Sequence, residues 1–187
     1  MLMADTMAIF LVILGVMLAF PGLWLLCRGL WPDIVAAAAA RCRKSLWSSF
    51  LVGLPITAVM IFLTTIFFNV LGPIGKIAGV ALICLYLLYA HTGVAGLATS
   101  IGQRLSSPVD EARPWRATLR GGVVLEVAYL LPVLGWFGIL PASIIIGCGA
   151  ATLALSRQLK DTLSARPVLS GTQEPAVANF GGPAGAA

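Results

Sequence analysis

Two ionisable side chains fall inside long apolar stretches of this sequence, His91 and Glu126. A charge at the centre of a membrane-spanning helix costs of order 2.5–3.5 kcal/mol on insertion scales, so such a residue needs neutralisation, a partner or water. At 1.5 Å per residue, Glu126 sits ~9 Å beyond Arg120 and His91 ~15 Å before Ile101. Those depths differ by a few ångströms, so a His91–Glu126 contact is within reach. Three readings are open. Glu126 is neutral or reaches the headgroups while His91 bonds a backbone carbonyl; or the two form a structural pair; or they serve a proton or ion path. The remaining chemistry is sparse. The four cysteines, Cys27, Cys42, Cys84 and Cys148, are widely spaced and contain no Cys-x-x-Cys. With a single histidine they offer no zinc or haem spacing. No Gly-x-Ser-x-Gly occurs, so the sequence points to a non-enzymatic chain with no cofactor and no metal.

The elements that would carry these residues follow from composition. The chain has 187 residues, with 12 Lys+Arg, 7 Asp+Glu and a net charge of +5. Its residues are 59% apolar and 10% charged, against about 25% charged in a soluble domain. So small a soluble core could not hide that much apolar side chain. The balance also excludes a disordered chain, a nucleic-acid module and a disulfide-stapled secreted domain. The expectation is an all-α integral membrane protein. Its apolar runs are Met7–Cys27, Leu46–Leu71, Ile77–Ile101 and Gly121–Leu155. A crossing needs about 20 apolar residues. The fourth run would be ~52 Å as one helix, and Pro132, Gly135, Gly138 and Pro141 interrupt it. The reading is therefore three transmembrane helices plus a C-terminal helical hairpin, spanning or re-entrant, with arms near 119–133 and 139–156. Residues Gly72-Pro73-Ile74-Gly75-Lys76 read as a tight turn between runs two and three. Trp136 falls at the tip of the second hairpin, either at the outer interface or packed in protein.

Basic residues give the orientation, because Lys and Arg of short loops collect on the cytoplasmic side. Arg28, Arg41, Arg43 and Lys44 follow run one, and Arg104, Arg113, Arg116 and Arg120 follow run three. Arg157, Lys160 and Arg166 follow run four, while Lys76 stands alone between runs two and three. This places the N-terminus outside and the C-terminus in the cytoplasm. Trp24, Trp31, Trp47 and Trp115 flank the basic ends, where headgroups favour such rings. The N-terminus lacks a basic n-region, so run one reads as an uncleaved helix rather than a signal peptide.

Residues 32–45 read as a short helix on the cytoplasmic face, with Pro32 and Asp33 at its start and Ala36–Ala40 favouring helix. Its alanine face makes it a weak membrane binder, and a connector held by the neighbouring spans is the plainer reading. Small residues recur at helical spacing as Ser143/Gly147/Ala151 and Gly93/Gly96/Ser100, which permits close helix–helix approach, within the chain or with a subunit. Leu71-Gly72-x-x-Gly75 and Leu134-Gly135-x-x-Gly138 share a spacing that a hairpin duplication would leave. Residues 1–163 form one helical membrane domain, and 164–187, rich in Gly, Pro, Ala and Ser, read as a flexible cytoplasmic tail.

Over about residues 43–155, Arg43-x-Ser45, Pro55, Gly72-Pro73, Leu85-Tyr86-Leu87-Leu88-Tyr89, Arg120-Gly121-Gly122, Pro132-Val133-Leu134-Gly135-Trp136 and Gly147-Cys148-Gly149-Ala150 form a loose pattern. It resembles the multi-helix membrane region of bacterial polymer-forming, bactofilin-like membrane proteins. The Gly-rich β-solenoid that such proteins also carry is missing here. The resemblance implies a component of the bacterial cytoplasmic (inner) membrane and supplies no catalytic residues. The functional expectation is a non-enzymatic membrane subunit or scaffold that packs against the bilayer and other membrane protein subunits or itself, with no nucleic acid. The alternative is a small transporter or channel component using Glu126 and His91.

Overall fold

The computed structural model describes residues 2–70, 72–105, 113 and 115–164. Every regular element among them is helical: α1 (Leu2–Leu30), α2 (Pro32–Lys44), α3 (Leu46–Val70), α4 (Gly72–Arg104), α5 (Trp115–Tyr129), a π-helical turn (Gly135–Ile139) and α6 (Leu140–Ser164). Four helical stretches are long and apolar enough to cross a membrane: Met3–Leu30, Leu46–Val70, Gly72–Arg104 and Gly135–Ser164. Helix α5, at 15 residues, is not among them. The region expected to be a flexible tail lies outside the described residues beyond Ser164, which closes α6.

Prolines set several boundaries. Pro32 occupies the first turn of α2, where its missing N–H costs nothing, and Asp33 follows it beside the positive end of the helix. The turn between α3 and α4 is tighter than its sequence suggests. Gly72 takes φ +64, a left-handed backbone that a residue with a Cβ adopts at a cost. Pro73 then lies in the first turn of α4, so residues 73–76 belong to the helix and not to a loop. Gly75, expected at the tip, is buried one turn further on.

The centre of the bundle is α4, which packs against α1, α2, α3, α5 and α6. Small residues mark the crossings. A Cβ on Gly93 would strike the backbone carbonyl of Gly147, and one on Gly147 would come within 2.6 Å of the Ala90 carbonyl oxygen. Gly53 and Gly149 bring α3 against α6 in the same manner, through the Ile145 and Ser49 carbonyls. Gly102 meets Ala117, and Gly121 meets Ala98, which joins α4 to α5. Such contacts let helix backbones touch where water-driven burial contributes nothing. Gly96 receives α2: an added Cβ would lie 2.6 Å from Ala38 Cβ. Val35, Ala38, Ala39 and Cys42 of α2 are buried accordingly, against α4 and α6. The alanine face thus makes α2 a connector seated in the bundle, and its thin side chains are what allow the close approach.

The last hairpin differs from the expected pair of arms. Its helices run over Trp115–Tyr129 and Leu140–Ser164, and they pack on α4 rather than along each other. Helix α5 fills the groove between α4 and α1, while α6 lies against α3, α4 and α2. The glycine pairs give the reason, since Gly121 and Gly147 each have their counterpart on α4.

Candidate functional site

Glu126 projects from the last full turn of α5 and is 2% exposed. Neither carboxyl oxygen has a hydrogen-bond partner among the described residues. Buried polar atoms are almost always satisfied, so a buried carboxyl with no donor is an exception that asks for an explanation. The side chain borders a cavity of about 390 Å³ between α1, the end of α5 and the π-helical turn. Val16, Met17 and Phe20 of α1 form one wall, and Tyr129, Trp136 and Leu140 form the other.

His91 lies elsewhere. Its Nδ1 donates to the Leu87 carbonyl, 2.8 Å away on its own helix, and its ring stacks on Phe20 at 5.8 Å and 9°. It borders a second cavity with Cys84, Leu88 and Ile144. Phe20, Tyr129 and Leu140 line both spaces and stand between the two polar groups. Phe20, Trp24 and Tyr129 also pack ring against ring, with centroids 5.9–6.4 Å apart. The His91–Glu126 pair that the sequence left open is therefore not formed; His91 bonds a backbone carbonyl instead. Equal depth along two helices does not fix the direction in which their side chains leave the axis, and aromatic rings occupy the intervening volume.

The remaining sequence candidates fall into place around this site. Ser143 donates to the Leu140 carbonyl and accepts from the Tyr129 hydroxyl. That bond ties α5 to α6 and fixes one wall of the Glu126 cavity. Ala151 is buried in α6. Pro132 sits in the turn after α5, and Pro141 in the first turn of α6. Gly135 is buried where a Cβ would crowd the Ala128 and Tyr129 carbonyls, whereas a Cβ on Gly138 would meet only Leu134 Cδ1, at an ordinary 3.8 Å. Trp136 is exposed at the cavity rim.

One polar cluster escapes a reading by charge alone. Arg28 of α1 donates through Nη1 to Thr118 of α5 and to Thr99 of α4, and the two threonines bond each other at 2.9 Å. Three helices are pinned at one point. The available signal was threonine at helical depth facing an arginine, which does not reveal its partner from sequence. Two further links, Tyr86 to Thr57 and Tyr89 to Thr152, join α4 to α3 and α6. Outside the apolar stretches, burial pushes the Cys42 thiol up to about 11. No group of three or more potential metal ligands occurs among the described residues. No family model, no curated protein and no solved structure matches the chain.

Proposed function

We propose that this chain is a non-enzymatic subunit of a membrane complex, with three transmembrane helices and a last hairpin whose first arm is short. Helix α5 would measure ~22 Å, less than the ~30 Å of hydrocarbon, which supports a re-entrant or strongly thinned first arm. The basic ends of α1, α2, α4 and α6 support an N-terminus outside and a C-terminus in the cytoplasm. The resemblance over residues 43–155 supports a bacterial inner membrane. The observation that carries the subunit reading is the first half of α1. Residues 3–16 are exposed throughout, and Met7, Leu11, Leu14 and Leu18 form an apolar face directed away from the bundle. The small-residue faces support this only indirectly, because contacts within the chain already occupy them.

The test is a photoreactive side chain at Leu14, activated in native membranes. One discrete membrane protein, or a second copy of this chain, crosslinked in fixed proportion is the expected result. Crosslinks to lipid alone overturn the subunit reading.

The second reading, a small transporter or channel component using Glu126 and His91, draws on the cavity beside the buried carboxyl. The apolar walls and the rings between the two residues weigh against a shared ion path in this conformation.

A further inference from the structure

The subunit reading leaves Glu126 unexplained. Among the described residues the carboxyl is the one acidic group placed among apolar walls; it has no donor, and its residue borders the cavity although both of its oxygens are buried. A structural carboxyl of this kind is normally capped by a hydroxyl or an amide. The Tyr129 hydroxyl is spent on Ser143, and the buried Nε1 of Trp24, itself without a partner, does not bond the carboxyl. The cavity lining also includes three aromatic rings, Phe20, Tyr129 and Trp136. Ring faces attract cations, more so when water is excluded. A volume of about 390 Å³ falls in the range of small-molecule sites.

We propose that the space between α1 and α5 binds a hydrophobic organic cation, its positive group on Glu126 among the three rings and its apolar body along Val16 and Met17. A cation satisfies both needs of the site at once. It offsets the insertion cost of the carboxylate, and it is attracted by aromatic rings that a neutral alkane would contact without preference. A neutral amphiphile of the same length lacks the first of these. His91, on the far side of Phe20 and Tyr129, takes no part. The site is separate from the Leu14 face of α1, so it stands whether or not a partner subunit is found.

The test uses the full chain in phosphatidylcholine nanodiscs with tritiated decyltrimethylammonium as the probe. Saturable binding of one probe per chain is expected, above the uptake of empty nanodiscs, with decylamine competing and decanol not. Glu126→Gln keeps the shape of the side chain and removes its charge, and should weaken binding about tenfold or more. Val16→Trp leaves the carboxyl in place and fills the cavity, and should weaken binding as much; it decides the case if the Gln variant does not fold. Thermal unfolding by tryptophan fluorescence checks that each variant is folded. His91→Ala should bind like the unaltered chain. Uptake no greater than that of empty nanodiscs, equal competition by decanol, or full binding by a folded Val16→Trp variant overturns the proposal.

Discussion

The two ends of this bundle are made from similarly apolar helices and packed in different ways. Towards the basic ends, α4 is buried almost continuously from Ala90 to Ser100, and α6 from Gly147 to Ala151. Towards the opposite end, α3 has no buried residue after Gly53, and the described residues of α1 have none before Pro21. The difference lies in side-chain size, not hydropathy. Glycine, alanine, serine and threonine occupy the closely packed end, where backbones touch. Leucine, isoleucine, valine and phenylalanine occupy the open end, where apolar surface faces outward. In a bilayer, burying apolar surface brings no solvent-driven gain, so packing goes where backbones can approach and where hydrogen bonds can form.

The largest expected effect tests that contrast directly. Gly147→Leu or Gly93→Leu places a branched side chain against a backbone that no rotamer avoids, and should cost about 3 kcal/mol or more. Gly15→Leu, whose added Cβ meets nothing within 4 Å, should change stability by about 0.5 kcal/mol or less. Thermal unfolding in detergent micelles, with native-gel mobility beside it, separates the two. Equal behaviour would show that the α4–α6 crossing is not the close contact described.

Next in size is the three-helix knot at Arg28. Arg28→Met keeps the apolar stem and removes the donor, and should cost about 1–3 kcal/mol. Thr118→Val should cost less, because Arg28 keeps Thr99. A Thr118→Val effect as large as that of Arg28→Met would move the anchor from the arginine to the threonine pair.

Smaller still is Tyr129→Phe, which removes the bond to Ser143. Interhelical hydrogen bonds of this kind average about 0.6 kcal/mol and reach ~1.7 kcal/mol. A loss beyond that range, read by the same unfolding transition, would show that the bond holds the cavity wall and not merely two side chains.

The smallest perturbation is chemical. With its thiol pushed up to about 11, Cys42 holds about one thiolate in a thousand at pH 8, and it is buried under α4 and α6. N-ethylmaleimide should leave it unmodified in native micelles while modifying a cysteine introduced at the exposed position Arg43. Site-resolved mass spectrometry provides the readout. Rapid modification of Cys42 would place α2 on the membrane surface instead of in the bundle.

The sequence carried much of the architecture and little of the pairing. Long apolar runs, the proline–glycine break after α5 and the basic ends were legible because each is a property of one segment. Spacing at 143, 147 and 151 showed that α6 has a small face, yet not that Gly147 would meet Gly93 or Gly149 would meet Gly53. A face is local, whereas its partner depends on the placement of another helix. The same limit governs Glu126 and His91. Their depths could be counted along the chain, but the rotation of α5 about its axis, set by Gly121 against Ala98 and Gly122 against Trp24, turns the acid toward α1. The connector α2 illustrates a third case. Five alanines read as a feeble membrane face because the glycine that receives them, Gly96, lies over fifty residues away.

The Arg28–Thr118 contact also has a schedule. Its partners are 90 residues apart in the chain. At about 5–20 residues per second of synthesis, roughly 5–20 s separate the emergence of the arginine from that of the threonine. Until α4 and then α5 follow it, α1 lacks the helices that make most of its contacts. Biogenesis therefore leaves the first helix to be fastened late, after most of the membrane-spanning chain has been made.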